Sequence, residues 1–589
     1  MTKNKDIWAC LLISLLIAIW MVQGAVFSSD VHVVGASSAE IWAFVWGHFW
    51  FKESIFNHGE WPFFTTLLDY PDGGHLWLKD PIMLVVCLPI QLLFGIPAAI
   101  TFSQILLFTL SSLGVFLLCR QLQISALPSI IAGVGFAFCP HTLGEAFNGN
   151  IEALNTCWLP LWWWSWHKAM RSHKGKDILI SGFFLFLLLI SNQYWAIAMA
   201  MAGPILLLAQ LYGNKSNRRR MAYTCFWSIL IGVVLFLPIG WHIYTSLEHT
   251  NKLNDIALGA IPLDPPYTSD VKHFYAPMAE LQHSKIMTPF QDLVYLGLGL
   301  TIMGLLAPLG RGATKWKWIV SALGLFFTLL MLGPALSFDG EVLRDSNNQI
   351  YALPWFYLVR QQQLLEWMTL PHRMAIPATL FLCVGMAFFL DRHKYLPILG
   401  CVAIIEMWTY PDYNLPLETT HLPEKEYVEL LNRSSTKGAV LNVPVNLYSN
   451  DMRVFLWYQT EHGRAITDSL KYSEYPTIAQ QSDFFKYSRN IKHAPLPDEE
   501  TPDPLNLQKL RDAGFAYIVV HHRWVQEQHH MPLAEWVAYM NLYLIDGLVL
   551  QDGDIVYPLD ITELSMLEAL LPDQIKGRTS ALYGYPSTR

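Results

Sequence analysis

Residues 1–30 read MTKNKDIWACLLISLLIAIWMVQGAVFSSD. Lys3 and Lys5 precede an apolar run from about Ile7 to Phe27, and at about 1.5 Å per residue this run is long enough to cross a bilayer. Gln23 and Gly24 give only a weak small-residue cleavage pattern, so the segment reads as a retained first helix that starts on the cytoplasmic side.

The rest of the chain repeats this pattern. Of its 589 residues 53% are hydrophobic and 15% charged, a balance suited to a bilayer rather than to water. Lys and Arg collect in short clusters at Arg120, 168–176, 215–220, 311–317 and 392–394, which mark inside turns. Apolar stretches at 7–27, 98–119, 128–140, 153–167, 178–191, 196–213, 221–243, 291–310, 318–337, 374–391 and 395–411 satisfy that alternation. About eleven transmembrane helices follow, which puts the C-terminal segment outside. Residues 82–94 are apolar but short, and Gly95 and Pro97 interrupt them, so they are expected to form a re-entrant or interfacial segment.

The expected organisation is therefore a polytopic α-helical domain over 1–411 with extracytoplasmic loops at 28–80, 141–152, 244–290 and 338–373, followed by a soluble extracytoplasmic domain over 412–589. That last segment holds 15 Lys+Arg against 24 Asp+Glu and is long enough to bury a core of its own. GAVLNV (438–443), FAYIVVH (515–521) and YLIDGLVL (543–550) read as buried strands, and 505–512 and 532–542 as helices, giving an α/β fold. Neither GxGxxG nor GxxxxGK[ST] occurs there, and the acidic balance argues against nucleic acid as a partner. The eight cysteines all fall in or beside apolar segments, as small fillers between helices do.

Chemistry-bearing residues concentrate on the outside. The first loop carries Asp30, then GASSAEIWAFVWGHFWFKESIF (35–56), then LLDYPDGGHLWLKDP (67–81). Glu40, Phe44 and His48 share a helical face by their spacing of four, with Trp42, Trp46, Phe49 and Trp50 on another, which predicts an interfacial helix with its aromatic face toward lipid. Such a helix is either a plain anchor or one that presents Glu40 and His48 to a cleft. Asp69 and Asp72 flank strong turn residues and read as solvated, with His75 and Lys79 close by. Asp80 precedes Pro81 where the apolar stretch begins, and a carboxylate at that depth is costly. The loop HTLGEAFNGNIE (141–152) adds His141, Glu145 and Glu152, and Arg360, His372 and Arg373 precede a later helix on the same face. The guanidinium fork of Arg373 matches phosphate oxygens, although a snorkelling role fits these cations equally well.

In order along the chain, LDYPDGG (68–74), FAFCPHTLGEAFNGNIEALNTCWLPLWWW (136–164), LPHRMAIP (370–377), VLNVPVN (440–446) and WYQTEHGRAI (457–466) resemble bacterial membrane proteins of the GT-C glycosyltransferase superfamily. The resemblance covers most of the chain. It implies a GT-C-like fold and transfer of a sugar from a polyprenyl-phosphate donor to a glycan, lipid or protein acceptor at the outer face of the bacterial cytoplasmic membrane. It also implies an acidic residue in the first outside loop, acting as base or metal ligand, and leaves a divalent metal open as cofactor. In similar sequences that loop reads Gly-Asp shortly before an aliphatic-Trp pair. Here the matching residues are Gly35-Ala36 and Ile41-Trp42, so Ala36 stands where the acid is expected. A methyl group cannot accept a proton, which passes the catalytic role to Glu40, Asp80 or Asp30. His48, His75, Lys79, His141, Glu145, Arg360, His372 and Arg373 are then the candidate substrate-binding residues. Two other functions compete: an inactive GT-C-like scaffold or accessory subunit, favoured by Ala36, and a transporter, for which there is no repeat and only Glu406 as a buried ion-pair candidate within a helix.

Overall fold

The computed structural model describes the chain apart from residues 1, 29–30, 36–39, 77, 213–216, 250–268, 275–293, 312–313, 340, 362–369, 410, 412–413, 446–452, 469–504, 530–536, 538–545 and 584–589. It divides into two compact units, one of residues 1–41 and 79–421, the other of 42–78 and 422–589.

The first unit is helical. Among the described residues six helices are long and apolar enough to cross a membrane: Asn4–Met21, Pro81–Gln121, Ala126–Phe147, Gln193–Tyr212, Arg218–Thr245 and Pro371–Leu390. The protein is a multi-pass membrane protein, but the eleven crossings expected from the sequence are not all of spanning length. Among its described residues the 291–310 stretch holds only the helix Leu298–Leu305 and a turn at Ala307–Leu309, and Pro397–Thr409 has 13 residues. Eight residues of helix cover about 12 Å, well short of a hydrocarbon core of about 30 Å.

The stretch 82–94 also differs from expectation. It is helical and runs on into the next segment as Pro81–Gln121, broken at Gly95, whose φ of 85° and ψ of 175° leave the helical region. Helix Ala375–Leu390 is apolar all round and buried on nearly every face, as a helix surrounded by other helices must be. Phe381 on it stacks against Phe327, with ring centroids 5.7 Å apart, and lies 5.2 Å from Trp163. Gly385 lets the backbone of Leu298–Leu305 approach, since a Cβ there would lie 2.5 Å from the Gly304 carbonyl oxygen. The 141–152 loop is largely helical, as Pro140–Phe147 followed by a 3-10 turn at Ile151–Cys157.

The second unit joins part of the first outside loop to the C-terminal segment. Its sheet has five strands in the order Ile575–Arg578, Leu548–Leu550, Ile555–Pro558, Phe515–Val520, Ala439–Val443. Only the last pair is parallel, with Leu441 opposite Ile518 and Val443 opposite Val520. All three strands read from the sequence are present in shorter form, and the helix Leu505–Asp512 is present, while the helix expected at 532–542 lies outside the described residues except for Val537. The helix Ile41–Glu53 corrects the interfacial expectation. Trp42, Trp46 and Trp50 are buried in protein, as are Phe44 and His48, and Trp46 Nε1 donates to Gln459 Oε1 at 2.6 Å. The motif at 457–466, with Arg464 donating to the Leu431 carbonyl at 2.7 Å, thus supports this core.

A buried polar chain crosses the sheet. Asn442 Nδ2 donates to Asp468 Oδ2 at 3.1 Å, His521 bridges Asn442 Oδ1 and Asp554 Oδ2 at 3.1 Å each, and Lys425 lies 3.0 Å from Asp554. Burial alone would raise the Asp554 carboxyl, but His521 and Lys425 hold it down to about 2. A depressed carboxylate stabilises the fold above its unfolded value of 3.8 and loses that contribution as pH falls toward 2. Asp554→Asn is accordingly expected to cost about 3 kcal/mol, because His521 and Lys425 lose their buried carboxylate and Lys425 keeps only the more exposed Asp552, 3.1 Å away. In the full-length protein this reads as amide exchange at Phe515–Val520 faster by about two orders of magnitude at neutral pH, a difference that narrows below about pH 3. Unchanged exchange would show the pair to be energetically idle.

Candidate functional site

Two glycines bring the end of the first loop onto the helical hairpin of the first unit. Gly35 has a φ of 131°, and a Cβ on it would lie 2.9 Å from Gly149 Cα; Gly149 has a φ of 70°, and a Cβ there would lie 2.7 Å from Ile41 Cβ. Neither position accepts a side chain, and the close approach fixes Glu40 beside the polar turn 148–155. Lys79 Nζ donates to Glu40 Oε2, tying the two ends of the excursion 42–78 together within this unit.

From the hairpin, His141 and Glu145 lie one turn apart on Pro140–Phe147, Nε2 to Oε1 at 3.7 Å, both almost wholly buried. Glu145 Oε2 accepts from Asn150 Nδ2 at 2.8 Å. The ring of His372 faces that of His141 at 5.9 Å. Next to it, the Arg373 guanidinium lies over the Tyr194 ring, 4.9 Å from its centroid, within the electrostatic reach of Glu145, Glu152 and Glu40. Tyr194 is itself fixed: its hydroxyl accepts from Leu370 N–H at 3.0 Å, and its N–H donates to Asn192 Oδ1 at 2.9 Å. Asn192 Nδ2 reaches Glu152 Oε1 at 3.4 Å.

Asp80 completes the group. It caps the helix Pro81–Gln121, accepting from Met83 N–H at 3.2 Å, with a left-handed φ of 55°. Burial pushes its carboxyl up to about 7, against the opposing pull of the Asn155 side chain and Met83 N–H, and neighbouring Glu152 adds to the push. Both side-chain polar atoms of Asn148, and Asn150 Oδ1 and Arg373 Nε, have no hydrogen-bond partner. Buried polar atoms are rarely left so, and this many in one place mark a site built for water or a polar ligand.

Of the residues singled out in the sequence, Glu40, Lys79, Asp80, His141, Glu145, His372 and Arg373 all lie in this unit. His48 and His75 belong to the other, His48 buried in Ile41–Glu53 and His75 in a two-stranded ribbon against Phe64. Asp30 and Ala36 lie outside the described residues, as does the side chain of Arg360, whose backbone is in the helix Pro354–Gln361. Asn148, Asn150, Asn155, Asn192 and Tyr194 carried no signal in the hydrophobic pattern, though the short polar break SNQYW (191–195) between two apolar helices could have drawn attention. Among the described residues no three His, Cys, Asp or Glu side chains are grouped to hold a metal ion. What these residues support is proton transfer and anion binding by side chains.

No protein family and no curated protein sequence matches this chain. Solved structures do. The apo oligosaccharyltransferase of Archaeoglobus fulgidus superposes with a TM-score of 0.53 at 11% identity, over 95% of this chain and 75% of that one. Arabinofuranosyltransferase AftD from Mycobacteria superposes with a TM-score of 0.51 at 14% identity, over 88% of this chain and 35% of that one. The chain has a GT-C-like fold.

Proposed function

We propose that this protein transfers a sugar from a polyprenyl-phosphate donor to a glycan, lipid or protein acceptor at the outer face of the bacterial cytoplasmic membrane. The observation that carries this reading is the placement of Arg373, braced on Tyr194 and within reach of three carboxylates, in the same unit as a set of orphaned Asn atoms. Phosphate oxygens suit the guanidinium, and sugar hydroxyls, which both donate and accept, suit the orphaned amides. In the reaction the acceptor oxygen bonds to the sugar's anomeric carbon as the carbon–oxygen bond to phosphate breaks. The hydroxyl proton passes to Asp80, and the polyprenyl phosphate departs against Arg373. Glu40, held by Lys79, helps to position Arg373. The unit of residues 42–78 and 422–589, with its α/β sheet on the extracytoplasmic side, selects the acceptor.

The test supplies purified protein with radiolabelled polyprenyl-phosphate sugars and an envelope extract as acceptor. Label is expected to transfer, and Glu40→Gln to slow it about 10- to 100-fold through misplacement of Arg373 and Lys79. A second reading, an inactive scaffold, is favoured by Ala36 in the sequence. Failure of every donor to turn over, with the protein folded, would establish that reading instead.

A further inference from the structure

Three helices that reach the candidate site at one end, Pro81–Gln121, Trp158–Ser172 and Gln193–Tyr212, finish at a second pocket at the other. This pocket, about 310 Å³, is closed by the starts of Arg218–His249 and Thr314–Leu330. The basic clusters of the sequence assign this face to the cytoplasm. Its lining includes Arg171, Lys315, His167, His173 and Gln210 and, among the described residues, no Asp or Glu. His167 is 3% exposed and its Nδ1 has no hydrogen-bond partner, its ring being set edge-on to Trp316 at 5.4 Å. Lys315 is steered by the Ala209 carbonyl, to which its Nζ donates at 3.1 Å, and His173 Nδ1 lies 3.0 Å from Thr224 Oγ1.

Lys315 also lines a neighbouring groove of about 550 Å³ whose other walls are Ile205, Leu208, Tyr212 and Ile319, with Arg218 at its rim. Leu208 and Tyr212 are 66% and 79% exposed, a large apolar surface beside a cationic pocket. We infer that the pocket binds the phosphate of an anionic lipid from the cytoplasmic leaflet, with its acyl chain along the Leu208–Tyr212 groove. Two cations and the unpartnered Nδ1 of a buried imidazole supply the anion contacts, and the shared Lys315 joins headgroup site to chain site. This site lies across the fold from Arg373 and is independent of the proposed transfer.

The experiment is native mass spectrometry of the full-length, delipidated protein titrated with dioleoylphosphatidic acid or dioleoylphosphatidylcholine, alongside equilibrium dialysis with labelled inorganic phosphate. Phosphatidic acid is expected to bind at least about tenfold more tightly than phosphatidylcholine, and Arg171→Gln with Lys315→Gln to abolish the preference. Lys176→Gln, on the same face but outside the pocket, should leave it intact. Should the double variant fail to fold, Lys315→Arg retaining the preference and His167→Phe reducing it give the same answer. Inorganic phosphate binding as tightly as phosphatidic acid would overturn the lipid as source, and equal binding of both lipids, or a preference that survives the double variant, would overturn the site.

Discussion

Arg373→Gln is expected to lower the rate of sugar transfer by about 100- to 1,000-fold, the loss typical when a preorganised donor to a developing anion is removed. The size follows from how firmly the guanidinium is held. Tyr194 lies under it at 4.9 Å, and Tyr194 is fixed in turn through Leu370 and Asn192. Glu40, Glu145 and Glu152 balance the charge, so the cation needs no rearrangement to meet a leaving phosphate. Arg373→Lys keeps a charge but loses the planar fork and the stacking, and should recover only part of the rate. Single-turnover kinetics with a radiolabelled donor measure the effect. A variant with unchanged turnover and weaker donor binding would show that Arg373 grips the ground state alone.

The membrane class was legible because it depends on local pattern. Basic turns between apolar runs, and the polar loops HTLGEAFNGNIE and LPHRM, stand out without any tertiary knowledge. The aromatic stretch 41–53 misled for a physical reason. A face of Trp42, Trp46 and Trp50 satisfies lipid and a protein interior equally, and only the hydrogen bond of Trp46 to Gln459, 413 positions away, distinguishes the two. Helix lengths were likewise overestimated at 291–310, where apolar composition continues past the end of Leu298–Leu305. Tyr194 and the asparagines at 148, 150 and 155 could not be read, because their significance is what they lack or support in three dimensions.

The scaffold reading turns on whether another acid can serve where Ala36 cannot. Glu40 is the nearer in sequence, yet it is committed to Lys79. A carboxylate held in an ion pair is a poorer proton acceptor than one free of it, because the cation stabilises the form that must be consumed. Asp80 has the opposite environment, with no cation paired to it among the described residues and burial pushing its carboxyl up to about 7. That is where a general base for neutral pH should sit.

Asp80→Asn is therefore expected to reduce transfer by about 100- to 10,000-fold, and its pH behaviour separates chemistry from structure. In the parent protein the rate should fall as pH drops below about 7, when Asp80 takes up a proton, and this limb should vanish in the variant. Stability moves the other way. A carboxyl raised above 3.8 on folding favours its protonated form, so the fold loses stability as pH rises from about 4 to about 7. Asparagine resembles that protonated form, and its side-chain oxygen can still accept from Met83 N–H, preserving the cap on Pro81–Gln121. Asp80→Asn should then melt no lower than the parent at neutral pH while being almost inactive. Loss of activity together with a lowered melting temperature would make Asp80 a helix cap and nothing more, and an unaltered pH profile would move the base to Asp30 or Glu40.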